Sequence, residues 1–155
     1  MKVLRTGADD LSALQACFFA SVSVLTAADY SLQQRRAWID RALAKRETWR
    51  EKLSSQFGWK VTDEDHILGF VLLVPQDCLI DWLYVAPTAA NSGVATLLLR
   101  EVERTARILG MPTLRTEASL TAQPFFLRRG YALVEQRSVD IDGCVLPNAL
   151  MEKTL

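Results

Sequence analysis

The stretch from Ala8 to Leu25 places Leu11, Leu14, Phe18, Val22 and Leu25 at steps of three and four residues. That spacing puts apolar side chains on one helix face, so an amphipathic helix is predicted, with Asp9 or Asp10 as its N-cap. The preceding MKVLRT alternates and reads as an edge strand. Ser31 with Gln34 fits a capping box opening a helix over SLQQRRAWIDRALAKR, and Thr48 with Glu51 fits a second. The helical stretch is therefore predicted to break near Glu47 and restart as TWREKLSSQF. From Gly58 the period shortens. GWKVT, HILGFVLLV and CLIDWLYV, separated by the turn-forming DED and PQD, predict an antiparallel meander.

Helical spacing returns after Gly93, where Ala95, Leu98, Leu99, Val102, Ala106 and Leu109 share a face predicted to be buried. Arg100, Glu101, Glu103, Arg104 and Arg107 mostly lie elsewhere, and Gly110 and Pro112 stop the helix. TLRTEAS follows as a short strand and TAQPFFLRRG as a short helix capped by Thr121. YALVEQRSVDI and CVLPNALMEKTL then form a hairpin about the Asp142–Gly143 turn. No repeat or Pro/Gly-rich linker interrupts the order, so one α/β domain over residues 1–155 is expected.

Composition narrows the function classes. Half of the 155 residues are apolar, 23% are charged and the formal net charge is zero. Nothing in that balance recruits nucleic acid or an anionic membrane. Cys17, Cys78 and Cys144 lie far apart without a CxxC pair, as expected of reduced thiols in a cytoplasmic protein. No charged-then-apolar leader and no uncharged run approaching a membrane span is read from the sequence. His66 is the only histidine, so no multi-histidine metal site is expected, and the residue reads as a turn-edge position. Neither charge nor composition argues against a homodimer.

The string VAPTAANSGVATLLL crowds Asn91, Ser92 and Gly93 just before a helix. These residues tolerate tight or left-handed backbone and leave N–H groups at the helix start uncovered. Such a junction is either an anion cradle or a plain turn with a good cap. Its setting decides. LYVAPTAANSGVATLLL, followed after one helix and one strand by EASLTAQPFFLRRGY, resembles the GNAT superfamily of acetyl-coenzyme A-dependent N-acetyltransferases. The family's pattern is Leu-Tyr-Val-x-Pro, a small-residue loop, a leucine-bearing helix, then a Phe-Tyr pair and a Gly-aromatic ending.

The resemblance implies the GNAT fold, a mixed central sheet of about seven strands flanked by helices, and acetyl-CoA as cosubstrate. Leu83, Tyr84 and Val85 fall on the strand whose backbone pairs with the pantetheine arm. The N–H groups of Asn91, Ser92, Gly93, Val94, Ala95 and Thr96 would receive the pyrophosphate. Ser119 matches a small polar position near the pantetheine, and Phe126 stands where many members carry Tyr. Ala90 replaces the family's Gln or Arg. The implied cradle therefore leans on backbone dipoles, and the implied site has lost its usual proton donor.

Acetyl transfer to an amine requires a neutral nitrogen, and a free alkyl ammonium has a pKa of about 10. A base within reach assists. Asp81 is the candidate, expected to share a strand face with Leu83 and Val85; the bland reading is a carboxylate paired with an Arg or bonded to backbone. Glu117 on the next strand is more readily a pairing residue. Tyr30 and Trp38 lie in the region that forms an acceptor wall in the family, and Trp49 is near them, although such aromatics also serve as core. Trp59 and Trp82 read as packing residues. Arg128 and Arg129 either approach the cofactor's ribose phosphate or lie on a solvated surface. The expected function is acetylation of a small-molecule primary amine or an exposed amino group. A non-catalytic acyl-CoA-binding module is the competing reading, favoured by Ala90 and Phe126.

Overall fold

The computed structural model describes residues 1–155. Strand β1 (Lys2–Arg5) leads into helix α1 (Leu11–Ala20), which continues into one π-helical turn at Ser21–Leu25. Helices α2 (Leu32–Leu43) and α3 (Arg46–Ser55) follow. Strands β2 (Phe57–Asp63), β3 (His66–Val74) and β4 (Leu79–Val85) come next, then α4 (Val94–Ile108), β5 (Thr113–Ser119) and α5 (Gln123–Arg128). The hairpin of β6 (Ala132–Ile141) and β7 (Cys144–Thr154) closes the chain. The seven strands form one sheet in the order β1-β2-β3-β4-β5-β7-β6. Every pairing is antiparallel except β4 with β5.

Two cores fill the two sides of this sheet. On one, α4 buries Val94, Leu98, Leu99, Val102 and Ala106 against Val61, Val71, Leu73, Ile80 and Leu114. Gly69 permits the approach, because a Cβ there would sit 2.8 Å from Val94 Cγ1 and 2.9 Å from the Tyr84 carbonyl. On the other side, Leu14, Phe18, Val22, Ile39 and Trp49 pack on Phe70 and Leu72. Trp49 donates its indole N–H to the Ala42 carbonyl at 2.8 Å, which ties α3 to α2.

The Ser31–Gln34 capping box forms as the sequence predicts, at 2.8 and 3.1 Å. The hairpin turn forms too, with Asp142 at φ 51° and Gly143 at φ 86°. Other local expectations change. Asp10 does not cap α1; its carboxylate accepts from Gly7 N–H at 2.8 Å and pairs with Lys60 at 2.5 Å, so it stabilises the turn before the helix. The break between α2 and α3 falls at Ala44–Lys45 and leaves Thr48 inside α3, so the second capping box does not form. Thr121 does not cap α5. Its hydroxyl donates to Asp29, while the Ser119 hydroxyl accepts the Ala122 N–H.

At the end of α4 Gly110 takes φ 73° and Met111 N–H returns to the Ala106 carbonyl at 2.9 Å. The chain thereby turns early, Met111 fills the core, and Leu109 stays 49% exposed instead of buried. Ala8–Leu25 forms an 18-residue run of mean hydropathy 1.2, long and apolar enough to cross a membrane by length and composition. Asp9 and Asp10 fall inside this run, so it is not an uncharged one. Its stripe of Leu11, Leu14, Phe18 and Val22 is committed to the second core.

Burial pushes the Cys17 thiol from 9.0 up to about 12. The folded chain then keeps a proton that the unfolded chain releases. Stability is unaffected below pH 9.0 and falls as pH rises from there toward about 12, by about 1.4 kcal/mol per pH unit from this group. Urea unfolding across this range should show a shallower alkaline loss for Cys17→Val than for the parent chain. In the native protein the half-buried Cys78 and Cys144 should react with a thiol reagent well before Cys17.

Candidate active site

Strands β4 and β5 are hydrogen-bonded neighbours only at Leu79–Arg115 and Ile80–Thr116. Beyond that point β4 continues with β3 and β5 with β7, so the two strands part and open a cleft of about 620 Å3. Leu83, Tyr84 and Val85 line it from β4, and Ser119 lines it from the end of β5. Phe126 contributes from α5, where it is buried against Tyr131. The π-helical turn forms a front wall through Ser21 and Leu25. Leu25 belonged to the predicted buried stripe, and the wider turn leaves it half-buried at the cleft.

At the far end of the cleft the chain enters α4 through Asn91 at φ 59° and Gly93 at φ 89°. These left-handed residues turn the backbone so that the N–H groups of Asn91, Gly93, Val94, Ala95 and Thr96 have no partner within the chain. All five residues line the cleft. Free donors at the positive end of a 15-residue helix suit an anion. Ser92 differs from the expectation. It does not line the cleft; its N–H and hydroxyl both donate to the Ala89 carbonyl, at 3.3 and 2.6 Å, and fix the turn.

Ala90 supplies no side-chain donor, but a cation reaches the cradle from α5. The Arg129 guanidinium donates to Thr96 Oγ1 at 2.6 Å and stacks on Phe125 with 5.0 Å to the ring centroid. Phe125 lies only four residues before Arg129, but Thr96 is 33 residues away, so the sequence alone leaves Arg129 at the cradle and a solvated Arg128–Arg129 pair both open.

A second cavity of about 480 Å3 lies beside the cleft. Trp38, Asp81, Trp82, Tyr84, Glu117 and Ser119 border both. Trp82 is therefore a wall residue as well as a packing residue, whereas Trp49 and Trp59 are core. Tyr30 lines the second cavity, but its hydroxyl is committed, donating to the Pro147 carbonyl at 2.5 Å and accepting Leu120 N–H at 2.9 Å. Burial raises the Tyr30 phenol, partly offset by that Leu120 N–H. Burial also raises Tyr84 strongly, with the Asp81 charge adding to it, so both phenols are protonated at neutral pH.

Asp81 faces the opposite side from Leu83 and Val85. Leu72 pairs with Trp82 and Leu73 with Ile80, so Asp81 is the extra residue of a β-bulge. Simple alternation assumed an unbroken pleat. The bulge turns Asp81 to the α3 side, where Oδ2 accepts from Lys52 Nζ at 2.5 Å and Gln56 Nε2 at 3.0 Å. Lys52 in turn sits over the Trp82 ring at 4.8 Å. Asp81 is thus an ion-paired carboxylate, not an isolated one among apolar neighbours. Glu117 pairs with Arg137 at 3.1 Å.

Residues 26–155 match the family described as acetyltransferase (GNAT) domain. The uncharacterized N-acetyltransferase YafP of Escherichia coli K12 is 32% identical over 142 residues, 92% of this chain and 88% of that protein. A GCN5-related N-acetyltransferase structure from Rhodopseudomonas palustris shares 34% identity at TM-score 0.93, covering 99% of this chain and 95% of that one. The PaiA N-acetyltransferase of Thermoplasma acidophilum, solved with coenzyme A, shares the fold at TM-score 0.81 and 18% identity, with 99% and 98% covered. With its sheet parting after two paired residues and a bare helix start facing the gap, the chain belongs to the GNAT acetyltransferase family.

Proposed function

We propose that this protein transfers the acetyl group of acetyl-CoA to the primary amine of a small molecule. The observation that carries the reading is the junction of two cavities at Asp81, Tyr84 and Glu117, one ending in the helix cradle and the other walled by aromatics. The diphosphate would lie on the free N–H groups from Asn91 to Thr96, with Arg129 supplying the charge that Ala90 lacks. The unpaired edge of β4 offers peptide groups to the pantetheine amides and to the thioester oxygen, where charge develops. The acceptor would enter from the second cavity, guided by Trp38.

Asp81 takes the proton from the incoming ammonium in this reading. Lys52 and Gln56 hold Oδ2, while Oδ1 has no hydrogen-bond partner in the chain. The neutral amine attacks the thioester carbon, the carbon–sulfur bond breaks, the thiolate departs, and the nitrogen gives its remaining extra proton to solvent to leave the neutral amide. A thiol pKa of about 8.5 lets that group leave without a side-chain acid and take its proton from solvent. Phe126 in place of a tyrosine is compatible with turnover on these terms.

Two measurements test the cradle and the base. Gly93→Val strains a residue at φ 89° and sets a branched side chain beside the free N–H groups, and it should abolish coenzyme A binding in calorimetry. Arg129→Ala should weaken binding about tenfold or more, the worth of one charge-assisted hydrogen bond. Parental affinity in both variants would rule out this cradle.

Asp81→Asn keeps the shape and removes the base. It should lower kcat about 10- to 1,000-fold with little change in acetyl-CoA affinity. Loss of thermal stability with full activity per folded molecule would instead make the Asp81–Lys52 pair structural. Coenzyme A binding without acetylation of any amine would favour the acyl-CoA-binding module.

A further inference from the structure

The second cavity has a charge pattern that the transfer reaction does not require. Its two carboxylates are already neutralised, Asp81 by Lys52 and Glu117 by Arg137. Its two cations are not. Arg41 and Lys45 line the same cavity and neither takes part in an ion pair. The only hydrogen bond from Arg41 is a long one, 3.5 Å to the Asp140 carbonyl. A cation in the last turn of a helix complements the helix dipole. Neither residue caps α2, however, whose last turn is closed by the Ala44 N–H on Asp40. Arg41 at the end of α2 and Lys45 in the link to α3 both line the cavity and bring unpaired positive charge to it.

The opposite wall carries an unused polar group. The side-chain amide of Asn148 on β7 bonds to nothing in the chain, and its Oδ1 is buried without a partner. A buried acceptor left empty is costly unless a ligand or water fills it. Asn148 lies opposite Ser119 in the β5–β7 register and lines the second cavity, whereas Ser119 borders both spaces. Between the cations and the amide the walls are apolar: Trp38, Trp82, Val139 and Leu146.

Given the amine-acetylating function proposed above, we infer that the acceptor is an amine bearing an anionic group, carboxylate or phosphate, on an apolar spacer. Arg41 and Lys45 hold the anion and the aromatic and aliphatic walls take the spacer, which points the amine toward Asp81 where the cavity meets the cleft. Arginine offers a planar fork to either oxyanion, and lysine a mobile point charge. The same field disfavours a second ammonium on the acceptor, so diamines and polyamines are poor substrates.

The test uses the full chain, acetyl-CoA and four amines on one scaffold, with rates read as thiol release. The amines are para-(aminomethyl)benzoate, para-(aminomethyl)phenyl phosphate, para-methylbenzylamine and para-xylylenediamine. At least one anionic amine should exceed the neutral one in kcat/KM by about tenfold or more, and the diamine should be slowest. Whichever of carboxylate and phosphate is faster identifies the oxyanion. Reversing both cations, Arg41→Glu with Lys45→Glu, should invert the order and leave the KM for acetyl-CoA unchanged, since neither residue lines the cofactor cleft. Arg41→Met with Lys45→Met should level the order while keeping the fold. Equal or faster acetylation of the neutral amine or the diamine by the parent enzyme overturns the inference and leaves N-acetylation standing. Coenzyme A binding with no amine acetylated overturns both.

Discussion

Peptide groups that leave a sheet must find new partners or meet solvent, and this constraint falls on the facing edges of β4 and β5 after Ile80. β4 cannot turn away, because its other edge is bound to β3 as far as Val85. β5 cannot follow, because it is bound to β7 along its whole length. The gap between them is therefore fixed by two antiparallel ladders, one on each outer edge. The helices on the two faces then determine what the gap contains: α4 presents its bare N-terminus from one side, and α2 presents Trp38 from the other.

Holding α4 with its first turn open requires an anchor elsewhere along the helix. Glu103, only 9% exposed, accepts from Lys153 at 2.9 Å and from the Tyr131 hydroxyl at 3.2 Å. These bonds join the helix to β7 and to the residue just before β6. Burial, with the Glu103 charge behind it, raises the Tyr131 phenol and keeps it a donor. A buried carboxylate stripped of these partners would be strongly destabilising. The network lies away from the cradle, so the helix is fastened at its middle while its N-terminal donors stay unspent.

Much of the fold was legible because it rests on short-range chemistry. The meander, the Ser31 capping box, the Asp142–Gly143 turn and the stripe on α4 each follow from side chains within a few residues of one another. So did the small-residue junction at Asn91–Gly93. Failures had a common cause. The β4 bulge, which reverses the face of Asp81, is set by pairing with a neighbouring strand and leaves no mark in LIDWLYV. The partners of Asp10 and Thr121 come from distant segments, which turned two apparent helix caps into cross-links. Lys52 and Gln56 carry no signal of their own, since exposed polar residues on a helix are ordinary. Arg129 became legible only with Phe125 and Thr96 in place.

The π-helical turn at Ser21–Leu25 holds one residue more than an α-helical course would need. An inserted residue of this kind is reversible by a single codon. Deleting one residue there would restore regular winding and draw in the wide turn, while α1 before it keeps its register. Leu25 would lose the wider turn that places it at the cleft, while Leu14 and Phe18 in α1 would keep their places in the core. The wall over the reacting end of the cleft can thus be re-cut by the smallest change in chain length, without disturbing the packing that holds the domain together.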